Sequence, residues 1–253
     1  MTRVKICGIT NKTEVEFINR YLPDYVGFVF AASKRRVTPE KAAELAAGLS
    51  PAIKKVGVFV DMKQEEAAGI TAFAKLDALQ LCGSEDVRYI AELRCLLKPG
   101  TEVWKAVRMG GGIHPGSGSD PGGGAYLVGG THPACGHPQS DGAFVIGSKD
   151  GSPQQVYESL KAYSADRLIL DTYNANQAGG TGQTFDWGLA QQLGRHVRLP
   201  IILAGGLNPG NVRQAIEQVV PFAVDTSSGV EGVGMKDEAK VRSFIYAVRR
   251  ESR

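Results

Sequence analysis

Residues 200–231 read PIILAGGLNPGNVRQAIEQVVPFAVDTSSGVE and contain two apolar runs separated by one amphipathic segment. The runs Ile201–Ala204 and Phe222–Asp225 are short and almost continuously apolar, which is typical of strands buried on both faces. The apolar residues between them recur at helical spacing, at Val212, Ala215, Ile216 and Val219. This order predicts two parallel strands joined by a right-handed helical crossover.

The same strand–helix unit repeats along the whole chain. Eight runs are predicted as strands: Val4–Cys7, Tyr25–Phe30, Lys55–Val60, Asp77–Leu81, Val103–Val107, Leu168–Asp171, Ile201–Ala204 and Phe222–Asp225. Helix starts are predicted at the cap–proline pairs Thr38-Pro39, Ser152-Pro153 and Asn208-Pro209, and behind Asp237. Eight such units predict an α/β protein, a (β/α)8 TIM barrel in a single domain over residues 1–253. An open doubly wound sheet is the alternative, but no G-x-G-x-x-G follows the first strand, which ends in CGIT instead.

A glycine-rich stretch interrupts this pattern after the fifth strand. Residues 110–151 hold 14 of the 32 glycines and are predicted to be an insertion. Two β-like runs, 125–129 and 143–147, predict a hairpin stalk around the string HPACGHP at 132–138. Zinc binding is one interpretation of that string, but no further pair of ligands completes a site, so a flexible polar loop is favoured and no metal is predicted. Long loops without a function are uncommon, so a lid or an added interaction surface is expected.

Charge and composition exclude several classes of partner. Lys plus Arg is 29 and Asp plus Glu is 26, a balance too even to indicate nucleic-acid binding. The longest apolar run, Tyr25–Ala32, is too short to span a membrane. The N-terminal string MTRVKICGIT lacks a secretory pattern and the four cysteines are scattered, so a cytoplasmic location is expected. Both a monomer and a homodimer are compatible with the sequence.

The loops after the seventh and eighth strands carry the strongest chemical signal. They contain Gly205 and Gly206 in AGGLNP, and Ser227 and Ser228 in DTSSGVE. Glycines let the backbone approach an anion, hydroxyls and N–H groups donate to it, and barrels of this class commonly hold phosphate there. A phosphorylated small molecule is therefore predicted as the ligand, with simple turn glycines as the alternative. A further glycine cluster at 179–182, GGTG, is predicted either to complete one wall of the site or to be a mobile flap.

Two strand-end residues are candidates for acid–base chemistry. Cys7 ends the first strand, and Lys5 lies on the same side of it under period-two alternation. A nearby ammonium favours the thiolate, so a lowered pKa of Cys7 is expected. Asp171 ends the sixth strand and faces either the barrel mouth or the next loop. Taken alone, both residues also fit structural roles.

Long stretches of the chain resemble the phosphoribosylanthranilate isomerase family. The similarity lies in VKICGITN, YVGFVFAASKRRVTPEKA, KKVGVFVD, LDALQLCG, LILDTYNANQAGGTGQTFDW, PIILAGGLNPGNV and FAVDTSSGVEGVGMKD. The resemblance implies an Amadori rearrangement in tryptophan biosynthesis, which converts N-(5′-phosphoribosyl)anthranilate to 1-(2-carboxyphenylamino)-1-deoxyribulose 5-phosphate without a cofactor or metal. Protonation of a ring oxygen and removal of a carbon-bound proton both fit general acid–base catalysis.

The resemblance also implies a role for each matching residue. Cys7 corresponds to the general base and Asp171 to the general acid. Arg36 corresponds to the arginine that contacts the anthranilate carboxylate, and Asp225 lies near the substrate amine or hydroxyls. The phosphate falls on Gly205, Gly206, Ser227 and Ser228.

One departure and two competing functions remain open at this stage. Cys82 stands in QLCG where the family commonly has QLHG, which puts a supporting hydrogen bond in doubt. A phosphosugar epimerase or indole-glycerol-phosphate synthase would share the phosphate loops, but would need strand-end histidines or catalytic lysines and glutamates. A barrel that only binds a phosphorylated ligand is a third interpretation.

Overall fold

The computed structural model describes residues 1–110, 126–128, 145–146, 163–171 and 187–249. The strands of this part are β1 (Arg3–Cys7), β2 (Tyr25–Val29), β3 (Lys54–Phe59), β4 (Ala78–Leu81), β5 (Glu102–Gly110), β6 (Tyr126–Val128), β7 (Val145–Ile146), β8 (Arg167–Asp171), β9 (Ile201–Ala204) and β10 (Ala223–Thr226). Its helices are α1 (Lys12–Tyr21), α2 (Pro39–Ala47), α3 (Gln64–Phe73), α4 (Val87–Leu96), α5 (Trp187–His196), α6 (Val212–Val219) and α7 (Glu238–Arg249).

Eight parallel strands close into a barrel. Their order is β4-β3-β2-β1-β10-β9-β8-β5, and a direct pairing of β4 with β5 closes the ring. The predicted (β/α)8 fold is therefore confirmed, and each predicted barrel strand overlaps an observed one. The same closure places the carboxyl ends of all eight strands on one face, where this fold carries its active sites.

Alternation along each strand separates an interior layer from the outer wall. The interior layer is built mainly by Tyr25, Val29, Val56, Val58, Ala78, Trp104, Ala106, Ile169, Ile202 and Ala223. The neighbouring positions, for example Phe28, Phe59, Leu79, Leu168 and Leu203, pack outward in one cluster with the buried faces of the helices. Strands buried on both faces need apolar residues at every position, which explains their continuous apolar runs.

The helix-start predictions had mixed outcomes. Thr38 accepts a hydrogen bond from the backbone N–H of Lys41, and α2 begins at the following proline as predicted. Asp237 likewise accepts from the N–H of Lys240 at the start of α7. The prediction at Asn208 is wrong because its side chain closes a turn by accepting from the N–H of Gly210, and α6 begins only at Val212.

The glycine-rich stretch is described only in part. Its two predicted β runs pair antiparallel, with Leu127 opposite Ile146, and β6 also pairs with the end of β5. The rest of the predicted insertion 110–151, including HPACGHP, lies outside the described residues, as do Ser152 and the segment 179–182. The insertion, its role as a lid or interaction surface, and the single-domain boundary 1–253 remain predictions.

None of the described helices is long and apolar enough to cross a membrane. Among the described residues, no group of three or more histidine, cysteine, aspartate or glutamate side chains is placed to hold a metal ion.

Candidate active site

A cavity opens at the carboxyl ends of the barrel strands, among the end of β8 and the loops that follow β2, β9 and β10. Its lining is formed by Lys34, Arg35, Asp171, Gly205, Gly206, Leu207, Asp225, Thr226, Ser227, Ser228, Gly229 and Glu231. The structure therefore brings together six of the residues that the sequence singled out: Asp171, Gly205, Gly206, Asp225, Ser227 and Ser228.

A buried ion pair joins β1 to β10 at this end of the barrel. Lys5 and Asp225 are register partners on adjacent strands, and the Lys5 Nζ lies 2.6 Å from the Asp225 Oδ2. Burial lowers the pKa of the Lys5 ammonium, but the charges of Asp225 and Cys7 raise it, and the net pKa is above that of an ordinary lysine. The pairing with Asp225 therefore favours the charged form of Lys5 inside the barrel. The second oxygen of Asp225, Oδ1, is buried and accepts no hydrogen bond in the described part of the chain.

Cys7 lies directly beside this pair and is 1% exposed. Its sulfur faces Gly27 of β2, where an added Cβ would lie only 2.7 Å from the Sγ. Burial raises the pKa of the Cys7 thiol, and the negative charge of Asp225 also raises it. The positive charges of Lys5 and Lys236 lower it. Burial has the largest effect, so the net pKa is above that of an ordinary cysteine. The expected net lowering by Lys5 is thus wrong, because loss of hydration outweighs the attraction of one ammonium.

Asp171 supplies the second candidate acid–base group. It is the last residue of β8, is 2% exposed, and is paired in register with Ala204 of β9 and Arg108 of β5. Its position at the strand end is the one that the sequence predicted, and its side chain contributes to the cavity wall.

The loops after β9 and β10 form the glycine- and serine-rich wall of the cavity. Gly205 and Gly206 both adopt positive φ, at 86° and 65°, a region that favours glycine. The hydroxyl of Thr226 donates to the carbonyl of Leu207 at 2.7 Å and so ties the two loops together. A Cβ at Gly229 would lie 1.9 Å from that same carbonyl oxygen, so only glycine fits there.

The arginine at the site is Arg35 and not Arg36. Arg35 is 4% exposed, donates from Nη1 to Glu14 Oε1 at 3.2 Å and from Nε to Glu231 Oε1 at 3.1 Å, and lines the cavity. Arg36 is exposed and lies outside the cavity lining. The carboxylates of Glu14 and Glu231 hold the Arg35 side chain inside the protein. The turn at Ser33–Arg36 then directs the Arg36 side chain to solvent.

Lys236 was not singled out from the sequence. It is 1% exposed, follows the loop after β10, and its Nζ donates to Ser227 O at 2.9 Å, to Ser227 Oγ at 3.1 Å and to Glu231 Oε1 at 3.2 Å. A lysine just before a helix is usually solvated, so its residue type carries no signal of burial. The acidic partner in SSGVE was the one available hint.

Cys82, the departure from the family motif, faces the barrel interior at the end of β4. The Nε2 of Gln80 donates to its sulfur at 3.2 Å, a weak hydrogen bond. Asp61, at the end of β3, accepts from the N–H and the hydroxyl of Ser84 and lies outside the cavity lining. These two strands therefore contribute structural contacts at this face.

Comparison with known proteins agrees with this geometry. A family model described as N-(5′-phosphoribosyl)anthranilate (PRA) isomerase matches residues 4–113 and 146–247. The chain belongs to the PRA isomerase family. The N-(5′-phosphoribosyl)anthranilate isomerase of Clostridium acetobutylicum is 39% identical over 250 residues, 99% of each chain.

Two solved PRA isomerases extend the comparison to structure. One, in complex with reduced 1-(o-carboxyphenylamino)-1-deoxyribulose 5-phosphate, is 30% identical with a TM-score of 0.71, over 99% of this chain and 100% of that one. The other, of monomers generated from the dimeric enzyme of Thermotoga maritima, is 32% identical with a TM-score of 0.70 over the same shares. As a PRA isomerase family member, the chain is an isomerase.

Proposed function

We propose that this chain converts N-(5′-phosphoribosyl)anthranilate to 1-(2-carboxyphenylamino)-1-deoxyribulose 5-phosphate, with Asp171 as general acid and Cys7 as general base. The observation that carries the proposal is a cavity at the strand ends that Asp171 and Asp225 line beside a glycine–serine wall. Cys7 is buried at the end of β1, beside the ion pair that Lys5 makes with Asp225. Family membership and this geometry support the same reaction.

Asp171 acts first, in its protonated form. It gives its proton to the ribose ring oxygen while the anilino nitrogen lone pair forms a C1=N double bond and the C1–O bond breaks. The products of this step are an open-chain iminium ion and the Asp171 carboxylate. A carboxyl group held at a fixed position contributes roughly 10²–10⁴-fold to such a proton transfer.

Cys7 acts on the iminium ion by removing the proton from C2. The C2–H electrons form a C1=C2 double bond, the C1=N electrons return to nitrogen, and the resulting enol becomes the ketone when C1 gains a proton and the C2 hydroxyl loses one. Burial raises the pKa of the Cys7 thiol and so favours its protonated form. The positive charge of the iminium ion adds to that of Lys5 and favours the thiolate when it is needed.

The remaining polar groups of the cavity orient the substrate. Asp225 Oδ1 is buried and unsatisfied, so it accepts a hydrogen bond from the substrate amine or a hydroxyl. Arg35 has guanidinium donors beyond the two that bind Glu14 and Glu231, and takes the anthranilate carboxylate in place of Arg36. No cofactor enters this scheme.

The phosphate is assigned to the loops after β9 and β10. Gly205 and Gly206 leave space for an anion beside the backbone, and Ser228 offers an exposed hydroxyl. The Ser227 hydroxyl already donates to the carbonyl of Cys7 at 3.2 Å, so Ser227 contributes through its backbone. A cytoplasmic location and a monomeric or homodimeric state complete the proposal.

The decisive experiment follows the fluorescence of freshly made phosphoribosylanthranilate with and without the protein. Wild-type protein accelerates the decay, and Cys7→Ala and Asp171→Asn each lower kcat/KM by roughly 10²-fold or more. Cys95→Ala is the matched control, because Cys95 is an exposed free thiol on α4. Near-normal turnover in either folded catalytic variant would show that the assignment is wrong.

A further inference from the structure

Lys236 occupies a buried position between the phosphate loop and the catalytic base. All three hydrogens of its ammonium group have acceptors, two on Ser227 and one on Glu231. The Ser227 hydroxyl that accepts from Lys236 donates in turn to the carbonyl of Cys7. Two hydrogen bonds therefore lead from the Lys236 ammonium to the backbone of the base.

Lys236 is also connected to the arginine of the site. Glu231 Oε1 accepts from both Lys236 and Arg35, and Glu14 Oε1 accepts from the Lys236 backbone N–H at 2.7 Å and from Arg35. These shared carboxylates fix Lys236 and Arg35 relative to each other. Removal of the lysine side chain would free Glu231 from one of its two buried cationic partners.

The charges around Cys7 give Lys236 an electrostatic effect on the base. The charged groups that act on the thiol are Lys5 from β1, Asp225 from β10 and Lys236 from the segment before α7. Lys236 is linked to Cys7 through the Ser227 hydroxyl, which accepts from the ammonium and donates to the Cys7 carbonyl. Asp225 is paired with Lys5, whereas Lys236 shares the Glu231 carboxylate with Arg35, so Glu231 offsets the positive charge of Lys236 only in part. Burial lowers the pKa of Lys236, Glu231 and Cys7 raise it, and Arg35 lowers it further.

Stability of the fold by itself does not require a lysine at this position. Burial of an ammonium is unfavourable, and apolar side chains of similar volume commonly stabilise a buried site at least as well. We propose that Lys236 is a positioning residue for the isomerase reaction, which holds the phosphate loop at Ser227 and supplies a second positive charge to the Cys7 thiolate. This role rests on the proposed function.

The test compares Lys236→Met with Lys240→Met and Lys236→Arg. Lys240 lies four residues further on, in the first turn of α7, and donates to the Glu231 carbonyl at 2.7 Å. It is exposed and bonds to neither Ser227 nor Cys7, so it serves as the matched control. The Cys7 thiolate is titrated by absorbance near 240 nm, as the difference between each protein and its Cys7→Ser counterpart. Loss of one buried charge is expected to raise the Cys7 midpoint by about 0.5–1 pH unit.

The kinetic measurement uses the same variants. Lys236→Met is expected to lower kcat/KM at neutral pH by about tenfold and to weaken inhibition by inorganic phosphate. It should also shift the acid limb of the pH profile of kcat/KM to higher pH. Lys236→Arg keeps the positive charge, so its Cys7 midpoint should lie close to that of wild type. Lys240→Met should have a kcat/KM within about twofold of wild type. If Lys236→Met does not fold, Lys236→Gln is measured in the same way, since it also removes the charge.

The outcomes separate this inference from the proposed function. An unchanged Cys7 midpoint in a folded, charge-removing variant would overturn the role of Lys236, even if activity fell. A wild-type protein without activity on phosphoribosylanthranilate would refute the proposed function, and the titration would still decide the link between Lys236 and Cys7.

Discussion

Gly27→Ala tests whether the position of the Cys7 sulfur controls the reaction. An alanine Cβ at this position would lie 2.7 Å from the Sγ of Cys7, 3.2 Å from its Cα and 3.4 Å from its Cβ. Non-bonded carbon atoms lie about 3.5–4.0 Å apart, so the larger sulfur must retreat by about 1 Å. The strands cannot separate to make room, because the Gly27 carbonyl accepts from the N–H groups of Gly8 and Ile9 at 2.9 and 3.1 Å.

The expected cost is larger for the reaction than for the fold. Overpacking by one methyl group destabilises a buried site by about 1–3 kcal/mol. A displacement of about 1 Å at a reacting atom lowers the rate by roughly 10²-fold. We therefore expect kcat/KM of Gly27→Ala to fall by about two orders of magnitude, while urea denaturation shows a folded protein with a modestly lower free energy of unfolding.

Gly69→Ala provides the matched control. Gly69 lies within α3, is exposed, and an added Cβ would meet no atom within 4 Å. Alanine is favoured over glycine in a helix by up to about 1 kcal/mol, so this variant should be slightly more stable and fully active. A folded Gly27→Ala protein with kcat/KM within threefold of wild type would refute the argument from sulfur position.

Three further predictions follow from the same geometry. Arg35→Met should raise KM for phosphoribosylanthranilate by about 10–100-fold, because a charge-assisted hydrogen bond contributes about 1.5–3 kcal/mol. Substitution of the exposed neighbour, Arg36→Met, should leave KM within twofold of wild type. Equal effects of the two substitutions in steady-state kinetics would contradict the assignment of Arg35. Lys5→Met leaves the buried Asp225 carboxylate without its ion-pair partner, so the free energy of unfolding should fall by about 3–5 kcal/mol in urea titrations. A loss below about 1 kcal/mol would show that Asp225 finds another partner. Burial raises the pKa of Glu231, but its contacts with Lys34, Lys236 and Arg35 lower it, and the net pKa in the folded protein is about 2. The unfolded chain has a glutamate pKa near 4.5. The stability that Glu231 contributes is therefore fully present above pH 4.5 and is lost as the pH falls toward 2. Thermal melts of wild type and Glu231→Gln should therefore differ most at neutral pH and converge in acid, and a constant difference would exclude this linkage.

The barrel was readable from the sequence because its strands are buried on both faces. Continuous apolar runs such as Val56–Phe59 and Leu168–Leu170 match the observed strands to within a few residues. Strand ends then placed Cys7, Asp171 and Asp225 on one face, since all parallel strands end on the same side. Asn208 misled the helix prediction, because an asparagine before a proline fits a helix cap and a turn equally well.

Side-chain direction and net electrostatics depended on contacts distant in sequence. The sequence SKRRV does not distinguish its two adjacent arginines. The Arg35 side chain is buried because it pairs with Glu14 of α1 and with Glu231 after β10. The pKa of Cys7 likewise depends on how much water the closed barrel excludes, which no local pattern records.

The sequence by itself determined the eightfold strand–helix order, the face that carries the site and the identity of its strand-end residues, because periodicity and strand ends are local properties. Tertiary structure alone decided which arginine enters the cavity, which direction the pKa of Cys7 shifts, and that Lys236 is buried beside Ser227. Those outcomes arise from desolvation and from contacts between residues distant in sequence, such as the hydrogen bond from the Lys236 backbone N–H to Glu14 and the ion pair of Arg35 with Glu231. Such contacts form only when the barrel closes.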